Sequence, residues 1–282
     1  MQRHLSHPAV ALVVDAYSTG QFYPAALREK GLSPVHVSSG TERGAPGLAA
    51  YLAQAAEHLE GDFEARHHDW VDLDDLLARL AALRPVCVMA GCEIGVEMTD
   101  ILAERLSLPG NAPSGSHVRR DKLAMHETLA ACGLPYLRSL ATDDLEAAEA
   151  FAVDLGFWPV VVKPLRSAAT EGVRLCRDSG ELRAAFGALL GSVTMFGDQN
   201  ARVLVQECAI GREFAVNTVS RDGRHVLSDL WEYRKVPSPG GAPLYDRTLL
   251  VREPGDEHRA VLDYAWSVLD ALGIRFGPAH VE

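Results

Sequence analysis

The stretch that decides the fold is PVVVKPLRSAATEGVRLC, Pro159 to Cys176. It opens with three valines, which predict a buried strand, and Lys163 ends that run. A lysine ammonium is rarely buried in an apolar sheet without a partner. Either its long stem carries the charge to the surface, or the charge meets an anion. The small residues from Ser167 to Gly172 favour an anion, because such a loop can turn backbone N–H groups and hydroxyls toward a polyphosphate.

Three further signals lie in order around this stretch. Lys122 stands at the start of a predicted helix, DKLAMHETLAACG. Glu207 ends the predicted strand RVLVQEC, shortly before a Gly-x-Glu sequence that ends at Glu213. The last predicted strand, in GIRFGPAHVE, ends in Glu282.

In this order and spacing, DKLAM, VVVKP, VQECAIGREF and GPAHVE resemble the ATP-grasp superfamily over roughly Gly110 to Glu282. In detail they are similar to its branch of L-amino-acid ligases, dipeptide synthetases and carnosine synthase. The resemblance implies α+β ATP-grasp lobes with ATP between them. It also implies a reaction in which a carboxylate and ATP give an acyl phosphate that an amine then attacks. Such phosphoryl transfer depends on positive charge and placement around the γ-phosphate.

The same resemblance implies a phosphate site made by the two lysines and the loop after the second one. Lys122 and Lys163 would contact the phosphates. The loop would fold over them as a mobile lid, with Ser167, Thr170 and Gly172 among its contacts.

The resemblance also implies which residues contact the adenine, the ribose and the metal ion. Glu207 and the backbone that follows it, at Ala209, would receive the adenine edge, and Glu213 would lie near the ribose or the hinge. Glu282 would be one ligand of Mg²⁺, with Mn²⁺ as its substitute. A divalent ion bridges phosphate oxygens and takes acidic ligands.

In family members a second acid and an arginine follow on the next strand, in an acid-x-x-Arg or Asn-x-Arg pattern. The sequence stops at Glu282. We therefore expect a chain truncated in its last lobe, with half of its metal site present. The alternative is that Glu282 is a solvated terminal residue and nothing more.

The stretch DLWEYRKVPSPGGAPLYD resembles the mobile active-site loop of amino-acid ligases. Strand alternation puts Glu232 and Arg234 on one face, and the other face carries Trp231, Tyr233 and Lys235. The alternation does not say which face is the cleft. We predict that Glu232 and Arg234 lie there as catalytic residues.

Two more residues are candidates for substrate contacts. Glu93, in AGCEIGVEM, follows a predicted strand, where it would bind a substrate ammonium or complement the dipole of the next helix. His280 shares a strand face with Glu282, so it would line the same cleft or be a satisfied core histidine.

The N-terminal part alternates strand and helix signals. The strands are AVALVVD, SPVHVSS and VCVMAG, and helices are predicted at FYPAALREKG, at residues 47–61, at LDDLLARLAALRP and at VEMTDILAERLSLPG. This order predicts an α/β parallel sheet covered on both faces. Ligands of such sheets lie at the carboxyl ends of the strands, which places Asp15 to Gly20 and Gly91 to Glu93 on a functional rim.

A boundary is predicted at SLPGNAPSGSHVRRDK, which is rich in Pro, Gly and Ser. We expect a Rossmann-like pre-ATP-grasp domain at 1–112 and the ATP-grasp domain at 113–282. The latter would have a lid lobe at about 120–205 and a C-terminal lobe from 206. Within that lobe, RDGR predicts a tight hairpin between two long strands, because Asp-Gly supplies positive φ angles.

Composition limits the partners. A formal net charge of −11 argues against a nucleic-acid-binding surface, and no apolar run reaches membrane length. Five scattered cysteines predict reduced thiols in a cytoplasmic protein. The expected partners are small-molecule substrates and, by default, a second copy in a homodimer.

The sequence thus predicts an ATP- and Mg²⁺-dependent carboxylate–amine ligase that forms an amide from amino-acid substrates. One alternative is a carboxylase-like or D-alanine-ligase-like member of the superfamily. Another is an ATP-binding module without catalysis. A plain Rossmann-type oxidoreductase is disfavoured, because no G-x-G-x-x-G follows the first strand.

Overall fold

The computed structural model describes residues 8–41, 59, 61–167, 170–194, 197–236 and 244–282. The chain forms two compact units, Met1–Ser116 and His117–Glu282. The predicted helix over 47–61 lies almost entirely outside the described residues, as does the centre of the Pro/Gly-rich stretch after β10, 237–243. The assignment of lid and C-terminal lobes stays a prediction.

The first unit is built on a parallel sheet with strand order β3-β2-β1-β4. Its strands are β1 (Ala9–Val14), β2 (Leu32–Val37), β3 (Ala65–His67) and β4 (Pro85–Ala90). Its helices are α1 (Tyr23–Glu29), α2 (Leu73–Ala82) and α3 (Val96–Arg105). The parallel α/β sheet predicted for this region is confirmed.

The apolar runs form these strands because both faces of the sheet are buried. Leu12 and Val14 of β1 and Val35 and Val37 of β2 pack with leucines of the helices, Leu76, Leu80 and Leu102. Continuous β-branched runs rather than alternating ones are typical of such a sheet.

The carboxyl ends of β1 and β4 meet in a tight backbone contact. Gly20 N donates to Gly91 O at 2.8 Å, and a Cβ on Gly20 would lie 2.3 Å from Gly91 Cα. Asp15 is fully buried, and its Oδ1 accepts the Ser39 N–H at 2.9 Å. At Asp15 and Gly20, the predicted rim is therefore closely packed.

A five-residue helix, α4 (Ser116–Arg120), lies where the chain passes from the first unit to the second. The second unit then contains α5 (Lys122–Ala131) and two antiparallel sheets. In the first sheet the order is β5-β8-β6-β7, with β5 at Ser139–Thr142, β6 at Val160–Lys163, β7 at Arg174–Cys176 and β8 at Val203–Glu207.

Helices α6 (Leu145–Leu155) and α7 (Ser179–Leu189) contribute to the same core as the valines of this sheet. Val160 and Val162, from the predicted strand, are fully buried. Strand β5 begins later than the PYLRSL signal predicts. The backbone N–H of Arg138 is taken by the Glu207 side chain instead of a ladder partner, so pairing starts at Ser139.

The second sheet has the order β11-β10-β9-β12. Its strands are β9 (Glu213–Arg221), β10 (Arg224–Val236), β11 (Leu244–Leu250) and β12 (Gly277–Val281). The predicted hairpin is confirmed: Asp222 and Gly223, with φ of 53° and 77°, turn the chain between β9 and β10.

Helix α8 (Arg259–Ala271) covers one face of this sheet and was not predicted. Val216 and Leu230 of the sheet pack with Ala265 of the helix. Leu129 of α5 packs with Val268 of α8, so α5 is fixed against the helix that covers the second sheet. Among the described residues, the structure has no helix that combines the length and apolar character of a membrane span.

Candidate functional site

Two lysines of the second unit are brought together by α5 and β6. Lys163 is the last residue of β6, and Lys122 is the first residue of α5. Asp121 caps that helix by accepting the N–H groups of Leu123 and Ala124 at 2.9 and 3.0 Å. The N-cap therefore fixes where the helix begins, and with it the place of Lys122.

The start of α5 is tied to the segment that follows Lys163. The backbone N–H of Lys122 donates to Leu165 O at 3.3 Å, and Lys122 Nζ donates to Ser167 O at 3.1 Å. Burial, together with the positive charge of Lys122, lowers the pKa of Lys163 to about 8, while Glu282 acts in the opposite direction. Two ammonium groups whose charges oppose each other suit a polyanion such as a phosphate chain.

A third basic side chain joins this pair. His126 lies one helical turn after Lys122, hence on the same side of α5. Burial and the charge of Lys163 lower the pKa of His126 to about 4, so the ring is neutral at pH 7. Its Nδ1 is buried and, within the described residues, has no hydrogen-bond partner. Sequence reasoning missed His126, although its i, i+4 spacing from Lys122 was a usable signal.

The loop after β6 is described only in part, because residues 168 and 169 lie outside the described ranges. Ser167 is buried, and Thr170 and Gly172 both have left-handed backbones, with φ of 60° and 69°. A Cβ on Gly172 would lie 2.8 Å from Leu189 Cδ2, so this end of the loop packs on α7. The role of the loop as a lid stays a prediction.

Glu282 follows β12 and lies close enough to Lys163 for their charges to interact. Its Oε1 is 3.3 Å from His280 Nε2. That hydrogen bond lowers the pKa of Glu282 against the opposing effect of burial, and the charges of His280, Lys235 and Lys163 add to it. The same hydrogen bond raises the pKa of His280. The structure thus brings Lys122, Lys163 and Glu282 into one electrostatic cluster, as the sequence predicts.

The sheet face that carries Glu282 is polar. Glu213 and Lys235 form an ion pair of 2.6 Å, and Lys235 Nζ lies 4.6 Å from the centre of the Tyr245 ring. Tyr233 meets Tyr245 edge to face. The negative charge of Glu282 acts on both tyrosines.

Glu232 and Arg234 lie on the face opposite Glu282, and their predicted place in the cleft stays a prediction. The carboxylate of Glu232 accepts from Arg212 at 2.8 and 3.3 Å, and Arg234 Nε is 3.6 Å away. Arg212 lies over the ring of Phe214, which faces Glu232 across the ladder. The side chains of β10 alternate between two faces, as the sequence predicts. Helix α8 packs on the neighbouring part of the face that carries Glu232 and Arg234. The catalytic role of these two residues gains no support from their position.

The predicted nucleoside contacts have local partners. The Glu207 carboxylate accepts the Arg138 backbone N–H at 3.1 Å, which joins the end of β8 to the start of β5. Ala209 is exposed in the loop that follows. Glu213 is held by Lys235. Their contacts with adenine and ribose stay predictions.

Glu93 lies in the first unit, exposed at a 3-10 turn that leads into α3. This is a position where an acid complements the helix dipole, one of the two alternatives for this residue. Its contact with a substrate ammonium stays a prediction.

The donor set fits a nucleotide-bound cation rather than a metal cage built by the protein alone. Within the described ranges, no group of three or more His, Cys, Asp or Glu side chains could hold a metal ion. Mg²⁺ in nucleotide sites takes one or two carboxylates, with waters and phosphate oxygens as its other ligands. Glu282, near Lys163, meets this requirement for one carboxylate.

Comparison with known proteins agrees with this geometry. Residues 157–282 match the family model described as the ATP-grasp domain. The chain is 30% identical over 284 residues to dapdiamide A synthase of Enterobacter agglomerans, across 99% of this chain and 64% of that protein. It is 29% identical over 193 residues to a D-alanine–D-alanine ligase of Desulforudis audaxviator, across 64% of this chain and 60% of that protein.

A solved structure shows the same fold over nearly the whole chain. The L-amino acid ligase from Bacillus licheniformis superposes with a TM-score of 0.70 and 20% identity, covering 97% of this chain and 62% of that one. The chain thus spans less than two thirds of the length of each of these three proteins. The region that matches the ATP-grasp domain, residues 157–282, lies in the second unit and includes Lys163 and Glu282.

Proposed function

We propose that the protein is an ATP- and Mg²⁺-dependent carboxylate–amine ligase that joins amino-acid substrates through an amide bond and releases ADP and phosphate. The observation that carries this proposal is the cluster of Lys122, Lys163 and Glu282 in the second unit. Two cations and one carboxylate are the groups that a metal–nucleotide complex needs from the protein.

The lysines would act on the phosphates. Their ammonium groups bind the phosphate oxygens and stabilise the charge that moves onto ADP in the transition state. A substrate carboxylate oxygen attacks the γ-phosphorus, and the bond to the β–γ bridging oxygen breaks. The amine then attacks the carbonyl carbon of the acyl phosphate, phosphate leaves, and the nitrogen loses a proton. Mg²⁺ bound at Glu282 would neutralise phosphate charge, with Mn²⁺ as its substitute.

The relatives support amide formation but include two substrate classes. Dapdiamide A synthase is named for the synthesis of a diamide, and the D-alanine–D-alanine ligase is named for the joining of D-alanine. We favour the first because that likeness covers 99% of this chain, against 64% for the second. Glu93 as a substrate contact, a homodimer and a cytoplasmic location belong to the same proposal.

The test is ADP formation from Mg²⁺-ATP with pools of L-amino acids, with D-alanine and with bicarbonate, followed by mass spectrometry of the products. ADP release that requires an L-amino-acid pool, with a product mass equal to two residues joined with loss of water, is the expected result. Release that requires D-alanine or bicarbonate identifies one of the alternatives instead. Nucleotide binding with no turnover in any pool, measured on the complete protein as its gene encodes it, would reject the ligase and favour a non-catalytic ATP-binding module.

A further inference from the structure

A hydrogen-bonded row crosses the second sheet on the face that carries Glu282. Asp229 of β10 stands opposite Asn217 of β9, and Asn217 stands opposite His280 of β12. Asn217 Nδ2 lies 2.5 Å from Asp229 Oδ1, and Asn217 Oδ1 lies 2.6 Å from His280 Nδ1. His280 Nε2 then lies 3.3 Å from Glu282 Oε1. The row joins Asp229 to Glu282 across three strands.

Asp229 fixes the direction of these hydrogen bonds. Trp231 Nε1, which can only donate, lies 2.5 Å from Asp229 Oδ1, and Ser228 donates to Oδ2 at 2.8 Å. A carboxylate that collects donors in this way is ionised and only accepts. Although burial opposes ionisation, the hydrogen bonds from Asn217, Ser228 and Trp231 lower the pKa of Asp229. Asn217 must therefore present its NH₂ group to Asp229.

The orientation of the Asn217 amide decides whether His280 Nδ1 must carry a hydrogen. With its NH₂ group toward Asp229, Asn217 presents its carbonyl oxygen to His280 Nδ1. A carbonyl oxygen only accepts, so Nδ1 carries a hydrogen. Nε2 faces the Glu282 carboxylate, which also only accepts, so the hydrogen bond there requires a hydrogen on Nε2 as well. The orientation of the His280 ring is thus set from the far end of the row.

We propose that Asp229 and Asn217 are positioning residues that fix the His280 ring, which in turn holds the Glu282 carboxylate in the orientation that binds the nucleotide's divalent cation. This inference rests on the proposed function, in which Glu282 is the metal ligand. His280 is then a positioning residue rather than a substrate contact. Groups that orient a metal ligand in this way typically change metal affinity by about 10- to 100-fold.

The role of the row can be tested by reversing the direction of the hydrogen bond between positions 217 and 229. Asn217→Asp keeps the acceptor for His280 but cannot donate to Asp229, and it places two carboxylates side by side. Adding Asp229→Asn and Trp231→Phe restores a donor, now from position 229 to position 217, with the acceptor for His280 still in place. Trp231→Phe is included because Trp231 Nε1 donates to the same Asp229 oxygen as Asn217 and would otherwise face the new amide NH₂. The matched control is Ser220→Ala, which removes a cross-strand hydrogen bond of 2.7 Å to His225 between the same two strands.

The readout is Mn²⁺ affinity in the presence of saturating ADP, measured by electron paramagnetic resonance of free Mn²⁺, with ADP affinity and thermal denaturation alongside. We expect Mn²⁺ affinity to fall about 10- to 100-fold in Asn217→Asp, to recover in the triple variant and to stay unchanged in Ser220→Ala. If Asn217→Asp does not fold, His280→Asn replaces it. The shorter amide still donates to Asn217 but does not reach Glu282, so the same loss is expected.

Unchanged Mn²⁺ affinity in the folded single variant, no recovery in the triple variant, or an equal loss in Ser220→Ala would overturn the positioning role. Wild-type protein that binds no ADP overturns the proposed function itself. The ADP titration of the wild type therefore separates failure of the row from failure of the ligase.

Discussion

At the scale of single residues, the site depends on a lysine whose environment opposes its own charge. Lys163 lies at the end of a strand, beside Lys122, and both burial and that neighbour favour its neutral form. An arriving polyanion reverses this balance, because negative phosphate oxygens favour the ammonium. Under the proposed function, the cost of keeping two cations together would be recovered as nucleotide affinity.

Replacing Lys163 by alanine should weaken ADP binding by about 10- to 100-fold, since one charge-assisted hydrogen bond to a phosphate is lost. Isothermal titration calorimetry measures the change. Lys30→Ala, an exposed lysine of the first unit, is the matched control and should bind ADP like the wild type. Equal affinity of Lys163→Ala and the wild type would contradict the assignment of Lys163 to the phosphates.

The lowered pKa of Lys163 also predicts a pH dependence. Below pH 8 the ammonium is charged and attracts phosphate, and above pH 8 it loses its proton in the free protein, so ADP affinity should fall between pH 7 and pH 9.5. Lys163→Arg keeps its charge throughout this range and should show a much flatter profile. The comparison requires ADP titrations of both proteins at several pH values. Parallel profiles would mean that a group other than Lys163 titrates.

At the scale of elements, the β9–β10 hairpin places several groups of the site. Glu213 stands at the start of β9, and Tyr233 and Lys235 stand near the end of β10, so the register between the strands decides whether they meet. That register is set at the turn, where Asp222 and Gly223 adopt left-handed backbones, and by one extra residue of β10, Ser228, at which the pairing with β9 shifts. A β-carbon is costly in that conformation.

Gly223→Ala should therefore lower the free energy of unfolding by about 1–2 kcal/mol. Gly187→Ala tests the same chemical change in helix α7, where an added Cβ meets no atom within 4 Å. It should stabilise the protein by about 0.5–1 kcal/mol, because alanine loses less backbone entropy on folding. Urea unfolding of both variants measures whether the free energy of unfolding falls or rises relative to the wild type. A shift in the same direction for both would refute the assignment of the turn.

At the scale of the whole molecule, ADP should stabilise the protein through the second unit alone. A ligand that binds only the folded state adds about 2.7 kcal/mol at a concentration of 100 times its Kd. Thermal denaturation with and without ADP should show this increase in the wild type, and little of it in Lys163→Ala at the same ADP concentration. Hydrogen exchange with and without ADP should show that the backbone amides protected by ADP lie in α5 and β6. Protection confined to the first unit would contradict the site described above.

The sequence was sufficient for much of this architecture because the signals are local. Continuous β-branched runs identified the parallel strands, and Asp-Gly identified the hairpin. Strand β11 carried no usable pattern, because all of its residues are exposed and none had to be apolar. The face that carries Glu232 and Arg234 could not be assigned from the sequence for another reason. Alternation separates two faces, but only the packing of α8 decides which of them is covered.

The close contact between Gly20 and Gly91 has a consequence for reading sequence variation. Neither position has room for a side chain, since a Cβ on Gly91 would lie 2.6 Å from Ala16 Cα, and one on Gly20 would meet Gly91 itself. In a library of all single substitutions selected only for soluble expression, with no ligand and no assay of activity, both glycines should already be depleted. Intolerance to replacement at this rim would then measure the cost of closing the backbone, and it would say nothing about catalysis.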